Sequence, residues 1–324
     1  MYMPKFKTIK VAVIAAVITA TFSAFGANPP KRIFVTNEKD NSVSVIDGKT
    51  NVVIATIAIG NRPRGIGIAP DLSEVYVAIS EDNAIAVFDP NTYEILRKFE
   101  GGQDPEAFAV HPNGNIYISN EDDAKTTVLN PENGSKIAEI KVGIEPEGVA
   151  VSADGTKVIV TSESTNMLHV IAVPEHKIIN NILVGARPRA ATFNRAGTIA
   201  YATSEISGEV KKVDLSSGTI TGRMPLADDR AKPKDVLLNV DESKLFVAGG
   251  RANCIFVLDA DTLEIQRSIP VGKRVWGLAL SRDGSRLYTT DGASHQVSVI
   301  DTALSDVIAT VPVGKFPWGL VLYE

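Results

Sequence analysis

Arg62-Pro63-Arg64-Gly65 is the first of seven related tetrapeptides spaced along the sequence. The second residues of successive tetrapeptides are separated by 42, 41, 42, 45, 42 and 42 positions. Residues 31–324 make 294 positions, which is seven times 42. A repeat of this length is typical of β-propeller blades. The other six tetrapeptides are Asp104-Pro105-Glu106-Ala107, Glu145-Pro146-Glu147-Gly148, Arg187-Pro188-Arg189-Ala190, Lys232-Pro233-Lys234-Asp235, Arg274-Val275-Trp276-Gly277 and Phe316-Pro317-Trp318-Gly319.

Each repeat has the pattern of four short strands. In the unit that begins at Gly65, apolar or alternating runs at 66–69, 74–79, 84–88 and 93–99 predict four strands. Apolar residues do not recur at the three- and four-residue spacing of helices, which argues against an α-solenoid of similar period. The sequence therefore predicts an all-β fold, a seven-bladed β-propeller of four-stranded antiparallel blades.

The two ends of the repeat region do not coincide with a blade boundary. Residues 32–36 match the second strand of the other units, and residues 319–323 match the first. We therefore expect the closing blade to be shared between N- and C-terminal strands, which removes the exposed edges of an open array. Because the repeat runs through the whole region, we expect residues 27–324 to form a single domain.

The first 26 residues have the pattern of a secretory signal peptide. Three lysines precede an apolar run at 11–22, and Ala24 and Gly26 stand at the −3 and −1 positions of a cleavage site. The run is shorter than a membrane span requires, so cleavage is favoured over an uncleaved anchor. We expect a periplasmic or secreted protein with no membrane span after removal. Cleavage would change the net charge from −5 to −8, which argues against a protein that coats nucleic acid with its whole surface.

The second strands carry a recurring motif, which reads Phe34-Val35-Thr36-Asn37 in the first unit and Tyr117-Ile118-Ser119-Asn120 in the third. With the Val-Gly pairs before the tetrapeptides, as at 142–143 and 313–314, these repeats resemble the YVTN-repeat β-propellers. Length, leader and blade count resemble most the secreted propellers associated with catabolism dependent on pyrroloquinoline quinone (PQQ), and the chain is also similar to YncE-type periplasmic propellers. The resemblance implies an exported accessory or binding protein near a quinoprotein alcohol oxidation system, without a known active site.

The tetrapeptides also mark a candidate binding site. In a propeller, the loops that lead into the first strands surround one mouth of the central channel, so their charged and aromatic residues should form a ring. Two adjacent blades contribute acids and the other five contribute cations or aromatics. The candidate residues for a ligand or partner are Trp276, Trp318, Arg274, Arg62, Arg64, Lys232, Lys234, Arg187, Arg189 and Phe316.

Both tryptophans of the chain, Trp276 and Trp318, occupy the same repeat position in neighbouring blades. Rigid aromatic rings beside cations suit stacking on a planar ligand whose anionic group the cations hold. This arrangement predicts binding of a periplasmic protein partner or a small acidic ligand, and single-stranded nucleic acid is an alternative. We expect a monomer that needs no cofactor. A second interpretation is structural, in which ion pairs between blades neutralise the cations and the tryptophans pack between blades.

Catalytic chemistry has less support in the sequence. The acids Asp104, Glu106, Glu145 and Glu147 could hold a hard cation or act in a lactonase or lyase, although no partner base is evident. The four histidines and the single Cys254 do not share the spacing of a zinc or haem site. The sequence thus favours a binding or scaffold protein over an enzyme.

Overall fold

The computed structural model describes residues 30–324, and the predicted leader at 1–26 lies outside them. Twenty-eight strands form seven antiparallel sheets of four strands each. The prediction of a seven-bladed propeller is therefore confirmed. Across the described residues, no helix has the length and apolar character needed to span a membrane.

The strands are numbered in chain order, and each blade is given from its innermost strand outward. Blade 1 contains β28 (Pro317–Tyr323), β1 (Arg32–Asn37), β2 (Ser42–Asp47) and β3 (Val52–Ala58). Blade 2 contains β4 (Pro63–Ile68), β5 (Val75–Ile79), β6 (Ala84–Phe88) and β7 (Ile95–Glu100). Blade 3 contains β8 (Pro105–Val110), β9 (Ile116–Asn120), β10 (Lys125–Asn130) and β11 (Ser135–Lys141). Blade 4 contains β12 (Pro146–Val151), β13 (Lys157–Ser162), β14 (Met167–Ala172) and β15 (Lys177–Leu183).

The remaining three blades follow the same order. Blade 5 contains β16 (Pro188–Phe193), β17 (Ile199–Ser204), β18 (Glu209–Asp214) and β19 (Thr219–Pro225). Blade 6 contains β20 (Val236–Leu238), β21 (Lys244–Ala248), β22 (Cys254–Asp259) and β23 (Ile265–Pro270). Blade 7 contains β24 (Val275–Leu280), β25 (Arg286–Asp291), β26 (Gln296–Asp301) and β27 (Asp306–Pro312). Three short 3-10 helices lie at Ser80–Asp82, Gly250–Ala252 and Gly292–Ser294.

Blade 1 is closed by strands from both ends of the described chain. The last strand, β28, pairs with β1 in antiparallel register, with Ile33 opposite Leu322 and Val35 opposite Leu320. The innermost strands of neighbouring blades contact each other all round the ring, including β24 with β28 and β28 with β4. The prediction of a shared closing blade is confirmed.

The core lies between blades rather than at the centre. One buried cluster joins Phe34 and Val45 of blade 1 to Val77 and Phe88 of blade 2, and equivalent clusters follow round the ring. The outermost strands alternate instead between exposed and half-buried positions, as β3 does. Burial of apolar side chains therefore holds each blade against its neighbours.

The threonine of the YVTN-like motif links adjacent blades by hydrogen bonds. The Thr36 hydroxyl accepts the N–H of Gly319 in its own blade at 3.0 Å and donates to the carbonyl of Arg64 in the next blade at 2.7 Å. Ser119, Thr161, Thr203 and Thr290 have equivalent hydroxyl bonds to the next blade. The repeated hydroxyl is thus explained by blade assembly.

The first strands begin earlier than the sequence indicated. The apolar run at 66–69 predicted the innermost strand of blade 2, whereas β4 starts at Pro63. Five of the seven innermost strands start at the proline of their tetrapeptide. Proline is tolerated there because the first residue of a strand need not donate to the ladder. The residue after each of these five prolines therefore belongs to a strand that lines the channel.

Candidate functional site at the channel mouth

The tetrapeptides place two rings of side chains around one mouth of the channel. The outer ring is defined by the first residue of each tetrapeptide, and the inner ring by the third. Six outer-ring residues have φ between 43° and 61°, so the backbone turns sharply just before each innermost strand. The outer ring comprises Arg62, Asp104, Glu145, Arg187, Lys232, Arg274 and Phe316, and the inner ring comprises Arg64, Glu106, Glu147, Arg189, Lys234, Trp276 and Trp318.

A recurrent side-chain acceptor fixes this turn. Asn41 Oδ1 accepts the N–H of Arg62 at 3.0 Å, and asparagines before blades 3, 5 and 7 make the same bond. In the turn before blade 1, His295 replaces asparagine, and its Nδ1 accepts the N–H of Phe316 at 3.1 Å. The Phe316 ring also packs edge-on to His295 at 5.1 Å. His295 therefore has a structural contact that accounts for its position near the mouth.

The first group of charges joins blades 1, 2 and 3. Arg62 bonds both oxygens of Asp104 at 3.1 Å and reaches Glu106 at 3.2 Å. Arg64 pairs with Glu106 and also with Glu38 at 3.2 Å. The candidate cations of blade 2 are therefore neutralised by acids of the adjoining blades, as the structural interpretation proposed.

The four acids predicted as candidate metal ligands do not all contact the same groups. Carboxylate oxygens of Asp104, Glu106 and Glu121 lie within 4.8 Å of one another. Burial and the charges of Glu147 and Asp104 raise the pKa of Glu121. Guanidinium groups already contact Asp104 and Glu106. Glu145 instead accepts a hydrogen bond from the Ser164 hydroxyl. The sequence did not single out Glu121, which lies in the loop between the second and third strands of blade 3.

The second group of charges joins blades 4, 5 and 6. Arg189 is 7% exposed and pairs with Glu147 at 2.8 Å and with Glu163. Arg187 lies 2.5 Å from Glu163 and 3.4 Å from Glu205. Only two of the predicted basic residues, Lys232 and Arg274, form no ion pair with any described residue.

Lys234 is a buried member of this group. Its Nζ lies 2.6 Å from Glu205, and the residue is 8% exposed. Burial and the neighbouring positive charge of Arg189 lower its pKa to about 7, although Glu205 acts in the opposite direction. At Glu205 burial raises the pKa, but the charges of Lys234 and Arg189 outweigh it, so the pKa is lowered. Lys234 is thus near its protonation midpoint at neutral pH.

The two tryptophans of the inner ring lie side by side. Their ring centroids are 6.1 Å apart with an interplanar angle of 28°, a stacked arrangement. Lys234 Nζ lies 4.3 Å from the centroid of Trp276, and the Arg64 guanidinium lies 5.9 Å from that of Trp318. The Trp318 Nε1 atom is buried and has no hydrogen-bond partner among the described residues. An indole N–H in this state is a donor whose hydrogen bond is not satisfied.

Cations and a glycine hold the edge of this pair. Arg189 and Arg274 lie 5.3 Å and 5.1 Å from the centroid of Trp276. A Cβ atom on Gly292 would lie only 2.8 Å from Trp276 Cδ1, so the small loop residue permits this close contact. The room left by the missing side chain of Gly292 is occupied by the edge of the Trp276 indole.

A cavity of about 160 Å³ opens beside the tryptophans. Five inner-ring residues line it, together with small residues and Asp235. Its walls therefore combine two aromatic rings, two cations and two acids in a small volume. The inner-ring residues in its wall are Glu147, Arg189, Lys234, Trp276 and Trp318.

Asp235 is a cavity residue that the sequence analysis missed. Its carboxylate accepts the N–H of Val236 at 2.8 Å and that of Leu278, in the next blade, at 2.9 Å. Burial raises its pKa to about 6, against the effect of these two bonds. Blade 6 has Ala248 in place of the motif threonine, so Asp235 supplies the link between blades there. A signal existed, because the other six tetrapeptides end in glycine or alanine.

Comparison with known proteins supports a YncE-type propeller. A family model described as YncE-like β-propeller matches residues 7–137. Among curated proteins, PE-PGRS family protein PE_PGRS18 of Mycobacterium tuberculosis is 49% identical over 43 residues. That segment is 13% of this chain and spans only 9% of the length of the relative.

Solved structures share the fold at low sequence identity. Kuenenia stuttgartiensis hydrazine synthase has a TM-score of 0.78 and 18% identity over 88% of this chain and 99% of that chain. A functionally unknown protein from Desulfotomaculum acetoxidans DSM 771 has a TM-score of 0.79 and 14% identity over 91% of this chain and 99% of that chain. At such identities the likeness shows the fold alone.

Proposed function

We propose that this protein is a non-catalytic binding propeller that holds a small planar acid in the cavity beside Trp276 and Trp318. The observation that carries the proposal is an aromatic cavity with an unpartnered donor, the Trp318 indole N–H. Binding sites for small molecules combine apolar and aromatic walls with a few convergent polar groups. This cavity has that composition.

The geometry limits how such a ligand could stack. At 6.1 Å between centroids, the two indoles are already in contact, so a third ring does not fit between them. The ligand ring therefore lies against the cavity side of the pair. Its carboxylate would meet Arg274, whose guanidinium lies 5.1 Å from the centroid of Trp276, because Glu147 and Glu205 already neutralise Arg189 and Lys234. Affinity then depends on a few cations, and a Kd of about 1 mM or below is expected for a single-ring acid.

Benzoate is a suitable probe, since both tryptophans of the chain lie in this site and report on it by fluorescence. We expect benzoate to quench tryptophan emission in a saturable way, and benzylamine of the same size to have a much weaker effect. Arg274→Ala should weaken benzoate binding about tenfold, the loss of one charge-assisted contact. The measurement is a fluorescence titration at fixed ionic strength.

Lys273→Ala is the matched control for that titration. Lys273 adjoins Arg274 and carries the same charge, but its side chain is exposed and forms no contact with either tryptophan. We expect its affinity for benzoate to equal that of the wild type. Equal quenching by benzoate and benzylamine, or no saturation with either, would contradict an acid-binding site.

We propose further that the protein is exported and serves a PQQ-linked alcohol oxidation system, as the sequence resemblance implies. Disruption of its gene in the host should then slow growth on primary alcohols and leave growth on the corresponding carboxylic acids unchanged. Growth curves on the two carbon sources provide the measurement. Equal growth of mutant and parent on both would remove the pathway assignment while leaving the binding site untouched.

The two alternatives from the sequence have less support. A single-stranded nucleic acid would need an exposed basic groove, whereas most predicted cations pair with acids of neighbouring blades. A lactonase or lyase would need free acids at the mouth, and guanidinium groups contact Asp104, Glu106 and Glu147. A binding function uses the cavity and requires neither an exposed basic groove nor free acids.

A further inference from the structure

We infer that the ε-amine of Lys234 forms a reversible imine with ligands that carry an aldehyde group. The inference rests on the proposed binding of small acids in this cavity and names a more specific ligand class, planar aldehydes that also bear a carboxylate. The modified atom is Lys234 Nζ, in the wall of the cavity.

Imine formation first requires an amine that a bound and oriented ligand can reach, and the position of Lys234 meets this requirement. Its Nζ lies 4.3 Å from the centroid of Trp276. An aromatic aldehyde packed along the tryptophans would thus present its carbonyl carbon near the amine. Other buried lysines lack this setting, since Lys211 is also 8% exposed and paired with a carboxylate, Glu209, but does not line the cavity.

The protonation state meets the second requirement, because only the neutral amine is a nucleophile. With its pKa lowered to about 7, Lys234 has a neutral amine in a large fraction of molecules at neutral pH. An unperturbed lysine is neutral in less than about 0.1% of molecules there. The groups that face Lys234 are Glu205 at 2.6 Å and, through space, Arg189 and Glu147.

The reaction balances without a redox partner. The amine lone pair attacks the carbonyl carbon, and one proton of the nitrogen passes through Glu205 to the carbonyl oxygen, which becomes a hydroxyl. The carboxyl of Asp235, in the same cavity wall and with a pKa raised to about 6, can protonate this hydroxyl, which leaves as water as the C=N bond forms. The iminium nitrogen then returns its remaining proton to the Asp235 carboxylate, which leaves a neutral imine. The net change is aldehyde plus amine to imine plus water.

The test uses 4-formylbenzoate with cyanoborohydride, which reduces any imine to a stable secondary amine. Peptide mapping by mass spectrometry then reports the rate of modification at each lysine. We expect Lys234 to be modified at least about tenfold faster than Lys211 or the adjacent Lys232, because Lys234 lines the cavity and its own pKa is lowered. Excess benzoate should slow modification at Lys234 alone. The rate at Lys234 should fall as pH drops below 7.

Lys234→Arg is the matched variant, because it keeps the positive charge beside Glu205 but cannot form an imine under these conditions. It should lose the fast modification and retain the fold by circular dichroism. Modification of Lys234 at the rate of Lys211 in the wild type would overturn the inference. If benzoate binds but Lys234 is not trapped rapidly, the proposed binding function stands and the imine inference fails. If Lys234 is trapped rapidly but benzoate does not slow the trapping, the imine inference stands and the acid-binding function fails.

Discussion

Deletion of residues 320–324 is expected to destabilise the whole propeller, not only the blade that contains them. The deletion removes the pairing of β28 with β1 and three apolar side chains, of which Leu320 is buried. Each buried aliphatic side chain contributes roughly 2 to 5 kcal/mol, so the loss is about 5 kcal/mol or more. The melting temperature should fall by about 10 °C or more in a single transition.

Replacement of Val52 and Ile54 by threonine is the control for that deletion. Both residues belong to β3 in the same blade, but their side chains are 55% and 51% exposed. We expect their substitution to change the melting temperature by no more than about 2 °C. Scanning calorimetry of the two variants provides the comparison. A truncated protein that melts like the wild type would show that the ring does not depend on β28.

Arg189→Ala is the point substitution with the largest expected effect on stability. The guanidinium lies between three carboxylates of blades 4 and 5, at 2.8 Å from Glu147, in contact with Glu163 and at 3.7 Å from Glu205. Its removal leaves buried negative charges without a partner, which costs about 3 to 5 kcal/mol. We expect chemical denaturation at pH 7.5 to show a loss of that size.

Arg187→Ala supplies the comparison, since Arg187 contacts Glu163 and Glu205 but is 45% exposed on its side chain. Its replacement should cost no more than about 1 kcal/mol. The deficit of the Arg189 variant should shrink as pH falls. The charge of Arg189 helps to lower the pKa of Glu205, so without it that carboxyl takes up a proton more readily in the folded state, and acid relieves the repulsion. A deficit that grows towards low pH would contradict this account.

The fold could be predicted from the sequence because the repeat itself encodes it. Strand positions follow from alternating apolar residues, and the shared blade follows from the offset between residues 32–36 and residues 319–323. The first residue of each innermost strand could not be predicted from the alternation of apolar residues. Proline normally marks a loop in sequence patterns, yet Pro63 and its equivalents open a strand at the one position where the missing N–H has no ladder partner.

The order of the tetrapeptides round the ring is easier to predict than the pairing of their charges. Equivalent repeat positions occupy equivalent places in every blade, so the sequence gives the order of these side chains directly. Their pairing depends on acids in the loops of preceding blades, such as Glu38 for Arg64 and Glu163 for Arg189, each 26 positions earlier in the sequence. Distances between those loops follow from the twist and radius of the ring, which the sequence does not state.

The pairing of β28 with β1 also determines the order in which this protein can fold. Blades 2 to 7 each consist of four consecutive strands, so each can assemble from a short, local stretch of chain. Blade 1 must wait, since β1 and β28 are separated by almost the entire chain. Contacts of such long range form slowly because closing the loop costs chain entropy. The ring therefore closes only after β28 has been synthesised, and the blades remain an open, incompletely paired array until that strand is available.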